Sequence, residues 1–115
     1  MERARLRRYL RHGTLPQLVA FEATARLGSC SRAAEMLHQS QPTVSIHIKK
    51  LSESLGQPLF ERAGRGMRLT PAGEEVYLTC RVLFSTFEDL DERLTRQAED
   101  RGAGERVGVS RPRRC

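Results

Sequence analysis

The chain lacks any apolar run approaching the ~18 residues that a membrane span requires. Its N-terminal stretch is basic but leads into no apolar core, so it does not read as a secretory signal. The expectation is a soluble, cytoplasmic protein. Cysteine is scarce, and Cys30, Cys80 and Cys115 lie far apart with no CxxC pair. Together with the scattered His12, His38 and His47 they make no zinc set, so buried or incidental thiols, no metal and no cofactor are expected. There is also no nucleophile–base set and no phosphate-cradling glycine loop, which argues against an enzyme. A length of 115 residues leaves room for one small domain and an appendage.

What is present is positive charge and a series of short, well-punctuated helices. Lys and Arg number 20 against 14 Asp and Glu, a net charge of +6, which favours polyanionic partners. Residues 1–12 hold Arg3, Arg5, Arg7, Arg8 and Arg11 against Glu2 alone. This basic N-terminal arm is suited to phosphates or a minor groove, and equally to a solvated, disordered end.

The rest of the chain is organised around residues 40–56. Ser40 is a good N-cap, Pro42 falls in the first turn, Gly56 suits a left-handed C-cap and Pro58 follows. Val44, Ile48, Leu51 and Leu55 fall on one face as a core stripe. The opposite face carries Thr43, Ser45, Ile46, Lys49 and Lys50. An isoleucine at the centre of a cationic, hydroxyl-bearing face is unusual for a solvated helix. In a DNA major groove it could meet a thymine methyl, while Gln41, Thr43 and Ser45 read base edges and the lysines meet phosphates. An ordinary amphipathic helix would show much of this pattern too, so the flanking segments decide. His47 sits beside this face, open to DNA contact or to solvent.

A first helix is predicted from Thr14 or Leu15 to Leu27, with Leu15, Leu18, Phe21 and Ala25 facing the core and Gly28 as the stop. A second, over Arg32–Leu37, has Ser31 as its cap, and Ala33, Ala34 and Leu37 face inward, the alanines allowing close helix approach. His38 and Gln39 turn into the Ser40 cap. Two short helices joined this way, at about 31–50, give a helix-turn-helix within a domain spanning 13–71. Residues 58–69 then read as a small β-hairpin anchored by Leu59, Phe60 and Leu69, with Arg62, Arg65 and Arg68 outside. Such a wing could meet phosphate or enter a minor groove. The fold class expected is mainly α: a winged helix-turn-helix with a long C-terminal linker helix.

That last helix, over 72–99, starts at Thr70-Pro71, with Glu74 placed as a capping-box partner. At ~40 Å it is too long for the small core to cover. Val76, Cys80, Leu83, Phe87, Leu90 and Leu94 form a heptad-like dimerisation seam that needs a partner helix. Glu74, Glu75, Glu88, Asp89, Asp91, Glu92 and Glu99 outweigh Arg81, Arg93 and Arg96, so this helix should avoid DNA and could pair with its own copy. Residues 100–115 read as a flexible basic tail.

Leu15-Pro16-Gln17-Leu18, Phe21, Gly28-Ser29, Arg32-Ala33-Ala34-Glu35-Met36-Leu37, Ser40-Gln41-Pro42-Thr43-Val44-Ser45, Leu51, Leu55-Gly56, Pro58-Leu59-Phe60-Glu61-Arg62, Arg65 and Leu69-Thr70-Pro71-Ala72-Gly73 make an ordered set. It resembles the N-terminal DNA-binding domain of the LysR-type transcriptional regulators. The resemblance implies a DNA-binding regulator that works on double-stranded DNA in the bacterial nucleoid. It also implies a homodimer through antiparallel linker helices, with DNA contacts at Gln41, Pro42, Thr43, Ser45 and Arg65. Many members have Arg where this chain has Ile46, so base readout there should differ. Pro42-Thr43-Val44-Ser45 followed by an aliphatic residue looks like the subgroup regulating carbon-fixation operons. The chain stops where the family's inducer-binding domain would begin, so a regulator without that sensor is expected. The alternative is an interaction module that pairs with full-length regulators through its linker helix.

Overall fold

Each short helix is delimited by residues whose backbone or side chain satisfies its ends. In the computed structural model, which describes residues 13–101, α1 (Thr14–Leu27) stops at Gly28, whose φ of 74° is left-handed and whose N–H donates to the Thr24 carbonyl. Helix α2 (Cys30–Leu37) is capped by Ser29, whose Oγ accepts from the Arg32 N–H at 3.1 Å. The expected cap, Ser31, lies instead inside the first turn. Ser29 has the extended backbone that an N-cap needs, directly after the turn at Gly28. Helix α3 (Gln41–Leu55) starts at Ser40, carries Pro42 in its first turn and ends at Gly56, as its sequence predicts. Between α2 and α3 the chain turns through His38, which adopts a left-handed φ of 58° without being glycine.

The core of this helix trio is built from small side chains. Ala20 and Ala23 of α1, Ala33 and Ala34 of α2 and Val44 of α3 form one buried cluster, with Leu27, Cys30, Leu37 and Ile48 packed against it. Alanines at the crossings let the backbones approach closely. The buried face of α1 therefore differs from the expected one. Ala20, Phe21, Ala23 and Thr24 are inside, whereas Leu15 stays 51% exposed and Leu18 and Ala25 are half-buried.

Strands β1 (Phe60–Ala63) and β2 (Gly66–Leu69) pair antiparallel, with Phe60 opposite Leu69 and Ala63 opposite Gly66. The Phe60 ring packs on Phe21 with centroids 5.3 Å apart, and Leu59 is buried. Thr70 joins the hairpin to α4 (Pro71–Asp100). Its hydroxyl donates to the Pro58 carbonyl at 2.8 Å and accepts from the Gly73 N–H at 2.9 Å. The third helical position is therefore Gly73, and Glu74 lies one residue too late for the expected capping box. Glycine is required there because a Cβ would overlap the Leu59 carbonyl. Helix α4 runs one residue past the expected end at Glu99, so Asp100 is helical rather than part of the tail. The basic arm at 1–12 and the remainder of the tail lie outside the described residues.

The chain divides into two units between Arg81 and Val82. In the first, Cys80 is fully buried, with its Sγ 3.9 Å from the Leu18 carbonyl. Cys80 therefore leaves the expected dimerisation seam: it faces its own domain and has no surface to give a partner. Burial, with the nearby Glu22 carboxylate adding to it, pushes the Cys80 thiol up to about 11. Glu22 is itself buried and accepts from the Arg26 guanidinium at 2.9 Å, an ion pair that raises the Arg26 pKa. In the second unit, Phe87, Leu90 and Leu94 are exposed and Leu83 is half-buried.

Gly73→Ala is expected to destabilise the fold by about 1–3 kcal/mol, because the Leu59 strand end must shift; urea unfolding measures this. The Cys80 thiol ionises more readily unfolded than folded, so its contribution to stability is intact below pH 9 and declines as the pH rises through 11. Unfolding curves between pH 7 and 11 should therefore fall more steeply for the native chain than for Cys80→Ala.

Candidate nucleic-acid interface

Burial of Val44 and Leu51 fixes which side of α3 faces outward. At the centre of that side stands Ile46, 52% exposed, with Thr43, Ser45, Lys49 and Lys50 also exposed around it. His47 is half-buried at the margin, and Gln41 and Pro42 are exposed at the helix start. Every expected residue of α3 except His47 is thus open to a large partner. The face combines a branched apolar tip, hydroxyls, an amide and two ammonium groups, and the N-terminus of α3 adds the positive end of its dipole.

Three of these polar side chains are held by neighbours. The Ser40 and Thr43 hydroxyls are 2.8 Å apart, and the Thr43 N–H donates to Ser40 Oγ at 3.2 Å. Ser31 Oγ donates to Gln41 Oε1 at 3.4 Å. Ser45 Oγ donates to Cys30 Sγ at 3.9 Å. Cys30 and Ser31 thus support the face from the first turn of α2. The sequence pattern marks Ser31 only as a cap and Cys30 only as a thiol, because their role here depends on how two helices cross. Arg32, exposed in the same turn, belongs to the ordered family set but to none of the expected contacts. A cation in a first turn opposes the helix dipole, and that is the signal the sequence does carry.

On the hairpin, Arg62 and Arg65 are exposed and make no ion pair among the described residues, and the same holds for Lys49 and Lys50. Arg68 differs. It lies opposite Glu61 in the strand register and donates to that carboxylate at 2.9 Å. The wing therefore offers Arg62 and Arg65 as uncommitted cations, while Arg68 is paired with its cross-strand partner. Arg65 stands at the turn beside Gly64, whose φ is 62°. Among the described residues no group of three potential metal ligands occurs.

Residues 15–74 match the bacterial regulatory helix-turn-helix protein, lysR family. Over 83 residues the chain is 45% identical to the RuBisCO operon transcriptional regulator of Allochromatium vinosum, covering 72% of this chain and 28% of that protein. It is 44% identical over 79 residues to the RuBisCO operon transcriptional regulator of Acidithiobacillus ferrooxidans, covering 69% and 26%. The chain thus spans little more than a quarter of the length of these curated relatives. Among solved structures, the BenM DNA-binding domain in complex with catB site 1 DNA superposes with a TM-score of 0.68 at 33% identity, over 73% of this chain and 94% of that one.

Ser40→Ala removes the hydroxyl that caps α3 and holds Thr43. It should cost about 1 kcal/mol of stability in thermal or urea unfolding, with the loss of α3 helicity confined to its first turn by amide exchange.

Proposed function

The chain belongs to the lysR family of bacterial regulatory helix-turn-helix proteins, and on that premise we propose that it reads specific duplex DNA sites as a homodimer. Helix α3 enters the major groove. Gln41, Pro42, Thr43, Ser45 and Ile46 face the base edges, with His47 at the margin, while Lys49, Lys50, Arg62 and Arg65 meet phosphates. The observation that carries this reading is Ile46, a large apolar side chain exposed at the centre of a polar, cationic face. A thymine methyl is a partner that compensates its exposure, and water is not.

Dimerisation rests on α4. Phe87 and Leu94 are 52% and 53% exposed, and together with Leu83 and Leu90 they line one helix face at spacings of four and three; Val76 lies seven residues before Leu83. A second copy of the same helix buries that face and sets the distance between the two reading helices. The names of the two RuBisCO operon regulators support a carbon-fixation operon as the target, acting in the bacterial cytoplasm on the nucleoid.

The test is binding to a duplex site selected from a random pool, measured across salt concentrations. Ile46→Ala should weaken the selected site about tenfold and leave non-specific DNA unchanged. Equal losses on both would remove Ile46 from base readout. Arg65→Ala should weaken all sequences alike and flatten the log–log salt slope by roughly 0.9 for each phosphate that the arginine neutralises. Leu90→Asp places a charge in the seam and should convert a dimer to a monomer in sedimentation; an unchanged dimer would place the pairing surface elsewhere.

A further inference from the structure

Gln41 and Ser45 lie one turn apart on the side of α3 that adjoins α2. Both remain exposed, yet each already has a partner on α2's first turn. The two bonds run in opposite senses. Gln41 accepts a hydrogen bond from Ser31, so its Oε1 is turned towards α2. Ser45 donates its hydroxyl hydrogen bond to Cys30 Sγ, which leaves its oxygen lone pairs to face outward. A free glutamine amide offers a donor and an acceptor side by side, which matches the N7 and N6 amine of adenine. An amide whose oxygen is turned towards α2 presents its NH2 group, a donor, outward. Its best major-groove match is guanine, which presents two acceptors, N7 and O6.

We infer that Ser31 is a positioning residue that fixes the hydrogen-bond polarity of Gln41 and so makes Gln41 a guanine reader rather than an adenine reader. The inference rests on the proposed reading of DNA by α3. Ser31 does not touch the base; it acts through the amide it holds. The Cys30–Ser45 contact repeats the arrangement one turn along and presents Ser45 as an acceptor, suited to the exocyclic amine of cytosine or adenine. The first turn of α2 thereby sets what two readers on another helix can recognise. Ser31 is exposed and the cap of α2 belongs to Ser29, so its hydroxyl is not needed to hold the helix.

The experiment is selection of duplex DNA from a randomised pool by the full chain and by Gln41→Ala, Ser31→Ala and Ser31→Thr. Gln41→Ala identifies the base pair that Gln41 reads. The native chain should favour guanine there. Ser31→Ala should shift the preference towards adenine, lowering discrimination at that pair about tenfold, with every other position and non-specific affinity unchanged. Ser31→Thr keeps the hydroxyl and should restore guanine. An unchanged preference in Ser31→Ala, relaxation at some other pair, or an adenine preference in the native chain would each overturn the inference while leaving DNA reading in place. A pool from which the native chain enriches no sequence would remove the proposed function, and the inference with it.

Discussion

The close approach of α1, α2 and α3 through alanine is the constraint on which the rest of the structure depends. Ala20, Ala23, Ala33 and Ala34 surround Val44 with almost no side-chain bulk, so the helix backbones set the spacing directly. Larger residues at these crossings would separate the helices and force strained rotamers. The spacing also brings the first turn of α2 within hydrogen-bond reach of Gln41 and Ser45. Core and interface are therefore not independent. The packing that stabilises the trio also determines which atoms the outer face of α3 presents.

A second tie governs the hairpin. Thr70 bonds both the chain entering the wing, at Pro58, and the first turn of α4, at Gly73. Phe60 on Phe21 anchors the same hairpin to α1. The wing is thus held at its base by two neighbours while its tip, with Gly64 and Arg65, is tied by neither. Within the wing, electrostatics select further: the Glu61–Arg68 pair leaves Arg62 and Arg65 without an ionic partner among the described residues.

Much of this is legible in the sequence because helix ends are local problems. Ser40, Pro42, Gly28 and Gly56 satisfy orphan backbone groups or allow left-handed turns, and such needs leave a mark on neighbouring residues. The exposed face of α3 follows from its periodicity. The family resemblance, and with it the winged helix-turn-helix fold, follows from an ordered set of such local marks. What escapes is non-local. Large apolar residues suggest that Leu15 is core, but a core of close crossings takes alanine and leaves Leu15 outside. Ser29 and Ser31 are chemically alike, and only the backbone conformation distinguishes cap from first-turn residue. Cys80 fits the heptad count of α4, yet the packing of α1 claims it. Ser31 and Cys30 become visible as supports of the interface only through the crossing of α2 and α3.

The contact between Cys80 and the Leu18 carbonyl closes a loop of 62 residues, joining the second turn of α1 to the third turn of α4. Chain synthesis runs from the N-terminus, so α1 leaves the ribosome long before the residues that complete its burial. Until Cys80 has emerged, the α1 surface around Leu18 remains wet and the nascent domain is unfinished. Helix α3, made between these two, thus sits on a frame whose last strut arrives after it. Vectorial synthesis therefore delays the finished domain until the first turns of α4 have emerged.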